Sequence, residues 1–243
     1  MRVEISVESV DGVRIAARHG ADRVELCGAL SDGGLTPSFA LQELAAIRAG
    51  TTEVHALIRP RPGDFRYSKD EISVMVRDIR GADRAGVTGM VVGALGSDGL
   101  LDMAACEEFI DAAEDKPVTL HRAIDVCASP QRVLDQAIEL GFKRVLTSGG
   151  QRSALAGAPV IKALVEQAAG RIEIMACGGV RASNALQVIE ATGVSDIHAG
   201  VRAPVRGDAD GAVSFAGVGV PEGFDRFETD ADGVAALCSV IRG

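Results

Sequence analysis

The residue types able to do chemistry are spread along this chain at strand-like spacing rather than gathered in one motif. Glu4 and Ser6, Glu25 and Cys27, Leu57 and Arg59, Thr119 and His121, Leu146 and Ser148, and Met175 and Cys177 stand two positions apart in short apolar runs, and His198 stands in a further run. Side chains alternate between the faces of a strand, so residues two apart share a face. If these runs are parallel strands of one sheet, carboxylates, an arginine, two histidines and two thiols converge on one cavity. Glu25 or His121 could then move a proton as general base or acid. Arg59 and Arg122 could fork onto a carboxylate or phosphate, with Asp125 fixing the orientation of a histidine. Glu4 and Glu25 could equally be structural partners of Arg59, because a buried charge persists only when paired.

Two glycine-rich turns suit an anion. Cys177-Gly178-Gly179-Val180-Arg181 precedes a helical stretch, and Ala199-Gly200-Val201-Arg202 follows His198. Backbone N–H groups in such turns, and the helix start after the first, favour negative charge. Other candidates read as structural. His19 precedes Gly20 as a cation at a helix end. His55 comes early in its run, away from the cavity. Cys106 and Cys238 fall on helix faces as small core hydrophobes, and Cys127 lies in a loop.

The elements that must position these groups alternate. Strands are predicted near Val3–Val7, Arg23–Cys27, Glu53–Arg59, Gly89–Ala94, Pro117–His121, Arg144–Ser148, Arg171–Cys177 and Asp196–Ala199. Amphipathic helices lie between them, near Val10–His19, Ser38–Ala49, Lys69–Ala85, Asp102–Ala113, Pro130–Leu140, Pro159–Ala169 and Ala182–Thr192, with a last near Ala231–Ile241. Gly20, Gly50, Gly86, Gly141 and Gly193 each follow a helix and precede an apolar strand residue by four positions. That offset describes one helix-to-strand turn used five times, with glycine in the left-handed position that ends a helix. Ser68 with Glu71 forms a capping-box pattern, and Ser129-Pro130 a cap followed by a first-turn proline. Eight strands alternating with helices imply an α/β fold with a parallel sheet. An open doubly wound sheet fits the order, but eight strands without an obvious edge strand favour a closed (β/α)8 TIM barrel over residues 1–243. Functional groups of such barrels lie at the carboxyl ends of the strands. The Gly-rich, poorly patterned residues Val201–Thr229 read as a long, partly mobile loop after strand eight.

Composition narrows the function. The 243 residues carry a formal charge of −9, no Trp and one Tyr. No basic stripe or stacking platform for nucleic acid is present, and no apolar run approaches the ~20 residues that span a bilayer. The amino terminus reads as a strand rather than a signal peptide, so a cytoplasmic location is expected. Five cysteines without paired spacing argue against a disulfide framework.

Several segments together resemble the CutC family, long named for copper homeostasis. They are Gly20-Ala21-Asp22-Arg23-Val24-Glu25-Leu26-Cys27 through Ser38, Ile58-Arg59-Pro60-Arg61, Gly63-Asp64-Phe65 with Tyr67-Ser68, His121-Arg122-Ala123 with Asp125, Leu146-Thr147-Ser148-Gly149, and Gly178-Gly179-Val180. The resemblance implies a TIM barrel, a cytoplasmic homodimer and the handling of Cu(I), a soft ion that selects thiolates. The family often carries a strand-one cysteine where this chain has Ser6, leaving Cys27. Cys177 stands where the family usually has glycine and is the thiol available as a replacement, with His121 as a further donor. The residues themselves support another expectation. An isomerase, aldolase or lyase would act on a small phosphorylated or carboxylated metabolite. Glu25, Arg59, His121 and Asp125 would then be catalytic, and Arg122, Ser148, Gly178, Gly179 and His198 would bind the ligand.

Overall fold

The computed structural model describes residues 1–205 and 226–243. Eight parallel strands form a closed barrel: β1 (Arg2–Val7), β2 (Arg23–Leu26), β3 (Glu53–Leu57), β4 (Gly89–Val92), β5 (Val118–Leu120), β6 (Arg144–Thr147), β7 (Glu173–Ala176) and β8 (Asp196–Ala199). Pairing of β8 with β1, from Arg2 opposite Asp196 to Ile5 opposite Ala199, removes both edges and settles closure against an open sheet. The outer helices are α1 (Val10–Arg18), α2 (Phe39–Arg48), α3 (Lys69–Arg84), α4 (Met103–Ala113), α5 (Pro130–Leu140), α6 (Ala158–Ala168), α7 (Ala185–Thr192) and α8 (Ala231–Arg242).

Local sequence explains the helices. In α3, Met75, Ile79 and Ala82 recur at helical spacing and are buried, and Ser68 and Glu71 form the reciprocal capping box. Ser129 caps α5 with Pro130 in its first turn. The five repeat glycines all have positive φ, from +63° at Gly50 to +87° at Gly141.

Two expectations are corrected. Helix α7 begins at Ala185, not Ala182, so no helix start follows directly on Gly178 and Gly179. Residues 201–229 are not one loop. β9 (Arg202–Val205) and β10 (Arg226–Thr229) pair antiparallel, Arg202 opposite Thr229. Arg202 reinforces this ribbon, lying 5.5 Å over the Phe227 ring and 3.0 Å from Glu8 Oε2. The remainder of that loop, 206–225, lies outside the described residues.

Barrel interiors are commonly filled by layers of branched apolar side chains, but the floor here is ionic. Arg23, Arg144, Glu173 and Asp196 are each the first residue of their strand, which places them at the amino-terminal end. Arg23 donates to Glu4 and, at 3.2 Å each, to Asp196 and Met175 Sδ. Arg144 donates to Asp196 at 3.0 Å, to Thr119 Oγ1 at 3.2 Å and to Glu173. The expected pairing of Glu4 with Arg59 is therefore corrected: its cation is Arg23, its register neighbour on β2. His55 is fully buried beside this network, and neither ring nitrogen has a hydrogen-bond partner among the described residues. Gly89 makes room for it, since a Cβ there would lie 2.5 Å from His55 Nε2. Burial lowers the His55 pKa; Glu4 opposes this, but nearby arginines reinforce it and the imidazole is driven down to about 3.

Two measurements test this floor. Arg23→Met leaves Glu4 and Asp196 without one shared cation, and removing one partner of a buried pair costs about 3–5 kcal/mol. Urea unfolding should show that loss, and a change under about 1 kcal/mol would contradict the network. Folded His55 stays neutral down to about 3, whereas the unfolded residue takes a proton below 6.5. Its contribution to stability is thus lost as pH falls from 6.5 toward 3, by up to ~1.4 kcal/mol per pH unit. His55→Gln should flatten the acid limb of stability against pH by that slope.

Candidate active site

A cavity of about 280 Å³ opens at the carboxyl ends of the strands, lined by Glu25, Arg59, Phe65, His121, Arg122, Cys177, Gly178, Gly179, Arg181 and His198 among others. Most of these side chains lie at or just past the last ladder residue of their strand, where the backbone leaves the sheet and side chains reach the mouth. The volume suits a small metabolite, not a dinucleotide.

One wall is a carboxylate–imidazole–carboxylate chain. Glu4 Oε1 lies 2.7 Å from His198 Nδ1, and Glu25 Oε2 lies 3.9 Å from His198 Nε2. Strand register explains it: β1 lies between β8 and β2, with His198 opposite Glu4 and Glu25 opposite Ser6. Burial would raise the Glu4 carboxyl, but Arg23 and His198 outweigh it and hold it well below the usual range. Burial would lower His198, but its bond to Glu4 and the charge of Glu25 raise it above 6.5. Burial raises Glu25, and Glu4 adds to the rise against the pull of His198. The imidazole, its pKa raised, thus lies between one carboxyl pushed down and another pushed up.

The opposite wall is cationic and aromatic. Arg59 donates to the carbonyls of Asp32, Gly34 and Gly63 and lies 5.0 Å over the Phe65 ring. It is fixed by loop carbonyls, not by Glu4 or Glu25. Arg122 donates to Asp125 and to Ser148 Oγ, both at 2.7 Å. Asp125 also accepts from Thr147 Oγ1 at 2.6 Å and from the Ser148 and Gly150 backbone. The expected role of Asp125 beside a histidine is corrected: it braces Arg122 against the loop after β6. Ser148 stands behind Arg122 and outside the cavity lining. Gly178 and Gly179 adopt φ +97° and +68°, and no described residue accepts a hydrogen bond from their N–H groups. Of the two expected anion turns, the first lines the cavity with Arg181. The second contributes only Gly200, because Arg202 is turned to Glu8. Phe65, which packs 4.5 Å from the His121 ring, was not singled out as a site residue. Being one of few aromatics, at the end of the Gly63-Asp64-Phe65 segment, was its only signal.

The two expected metal-binding thiols lie in separate apolar clusters. Cys27 is fully buried with Leu57 and Val91, and its Sγ donates to Glu25 Oε2 at 3.5 Å. Cys177 belongs to a separate cluster with Leu146 and Met175, whose sulfur is already bonded by Arg23. Burial raises both thiols well above their usual range; Glu25 adds to the rise at Cys27, and Arg122 only partly opposes it at Cys177. Among the described residues, no three His, Cys, Asp or Glu side chains are grouped to hold a metal ion. No described helix is long and apolar enough to cross a membrane.

Comparison with known proteins places this geometry. The model of the CutC family matches residues 1–203. A family protein CutC from Xanthomonas campestris is 48% identical over 206 residues, covering 84% of this chain and 85% of that protein. One from Bacteroides thetaiotaomicron is 38% identical over 242 residues, covering 98% and 97%. Among solved structures, the CutC protein of Streptococcus agalactiae, named for copper homeostasis, superposes with a TM-score of 0.78 at 34% identity, covering 82% of this chain and 97% of that one. An aldolase, QR15, shares the fold at a TM-score of 0.61 and 18% identity. With the barrel closed, and the family model and these relatives matching most of its length, the chain belongs to the CutC family.

Proposed function

We propose that the chain is an enzyme that moves a proton on a small phosphorylated or carboxylated metabolite, in a reaction of isomerase, aldolase or lyase type. The observation that carries this reading is the Glu4–His198–Glu25 chain facing a cavity whose other walls bear Arg59, Arg122 and Arg181. Arg122, braced by Asp125 and Ser148, and Arg181, with the Gly178 and Gly179 N–H groups, hold the anionic group. Glu25 takes a proton, and His198, held cationic by Glu4, supplies one. A pair of titratable groups pushed upward together matches proton transfer near neutral pH. A copper-handling role has the family name and one cavity-lining thiol, Cys177, in its favour; the thioether packed with it, Met175, already accepts a hydrogen bond from Arg23.

Three outcomes are expected. In a thermal-shift panel of small carboxylates and phosphorylated compounds, at least one should stabilise the protein by about 2.7 kcal/mol at a hundredfold excess over Kd. Arg122→Gln should reduce that shift, and a panel without any response would sink the reading. With a substrate in hand, Glu25→Gln should lower kcat/KM by about 10²–10⁴-fold. The wild-type rate should rise as Glu25 loses its proton above 4.5 and fall as His198 loses its own above 6.5, and His198→Asn should remove the alkaline limb. Anaerobic titration with Cu(I) against a chelator should give only weak binding, unchanged by Cys177→Ser. Tight binding lost in that variant would restore the copper reading.

A further inference from the structure

The proton-moving chain does not use His121, which lies across the cavity at the end of β5. Its ring is 4% exposed and packs against Phe65 at 4.5 Å between ring centroids. Nδ1 accepts the Ala123 backbone N–H at 3.2 Å. A nitrogen that accepts carries no proton, so the proton of the neutral ring sits on Nε2. Nε2 is buried and has no hydrogen-bond partner among the described residues. Gly93 fixes the ring from behind: a Cβ there would lie 2.7 Å from Cε1 and 2.8 Å from Nδ1. With that edge against the turn after β4, Nδ1 committed to the backbone and the residue itself on the cavity lining, Nε2–H is the donor left for a ligand.

We propose that His121 donates its Nε2–H to the reacting oxygen of the substrate, so that this site takes a small anion bearing a carbonyl group and passes it through an enolate. The inference rests on the proposed enzymatic reading and deepens it by naming the substrate class. A buried donor left without an acceptor is unfavourable, and a ligand oxygen relieves it. Burial, reinforced by the Arg59 cation, also drives the His121 imidazole down to about 3, so it acts as a neutral donor. A neutral imidazole polarising a carbonyl opposite a carboxylate base is an established way to run enolisation in a barrel.

The step balances without a redox partner. The Glu25 carboxylate takes the proton from the carbon next to the carbonyl. The C–H electron pair becomes a carbon–carbon double bond, and the carbonyl π pair moves onto oxygen, which accepts the Nε2–H hydrogen bond. Where the deprotonated carbon bears a hydroxyl, Glu25 returns its proton to the former carbonyl carbon, the hydroxyl proton passes by way of His198 to the enolate oxygen, and the new C=O on the adjacent carbon completes an isomerisation. Arg122 and Arg181 keep the non-reacting anionic group in place throughout.

Oxalate and phosphoglycolohydroxamate, which imitate enolates, provide the test, with malonate and glycerol 3-phosphate as anions lacking that oxygen arrangement. In imidazole ¹H–¹⁵N spectra of the full chain at pH 7, His121 should be one neutral Nε2–H tautomer whose proton moves downfield when an enolate mimic binds. At least one mimic should bind about tenfold or more tightly than its control. His121→Phe should erase that advantage while control binding persists, and His121→Gln, which keeps a donor, should retain part of it. An Nδ1–H tautomer, or equal affinity for mimics and controls, overturns the inference and leaves the anion site standing. Failure of every anion to bind overturns both.

Discussion

Glu4 carries a full negative charge where water cannot reach it, and the arrangement of the barrel interior follows from that charge. A buried carboxylate is tolerable only with cations and donors around it. Glu4 has one on each side: Arg23 toward the floor and His198 toward the mouth. Arg23 then needs Asp196, and Asp196 needs Arg144, so these pairs tie the floor across four strands, β1, β2, β8 and β6. Burial raises Glu25 and the Glu4 carboxylate adds to that rise by repulsion, while its bond to His198 raises the imidazole against burial. Stability at one end and acid–base character at the other are consequences of one buried charge.

That coupling explains why the interior departs from apolar layers. Branched side chains would pack the floor at less desolvation cost, but they would leave Glu4 without a counter-charge. The compensation is visible in the apolar shell, where helices such as α3, α4 and α6 bury their inward faces completely against the strands. The ionic centre is enclosed by an aliphatic wall that keeps it dry and holds each carboxylate and guanidinium in one geometry.

The site is divided by chemistry as well as by space. On the β1, β2 and β8 side lie groups that gain and lose protons. On the β3, β5 and β6 side lie groups held in place by their partners: Arg59 on loop carbonyls, His121 with Nδ1 on the backbone, and Arg122 clamped by Asp125. Such a division lets one wall bind and orient while the other transfers protons. Cys27 and Cys177 sit in separate apolar clusters, the first with its thiol on Glu25 and the second on the cavity lining.

Strand and helix order, the closed eightfold sheet and most of the cavity lining could be read from residue pattern alone. Alternation in a strand assigns each residue to a face, and parallel connectivity assigns each carboxyl end to the same rim. Glu25, Arg59, His121 and His198 were legible for that reason. Partnership was not. Glu4 binds Arg23 rather than Arg59, Asp125 braces an arginine rather than a histidine, and Arg202 turns to Glu8 rather than to an anion. The choice at Glu4 depends on barrel register, which sets which strands are neighbours across the 194 positions between Glu4 and His198. Distances between side chains on different strands come into being only when the sheet closes, and it is those distances that decide which charges meet.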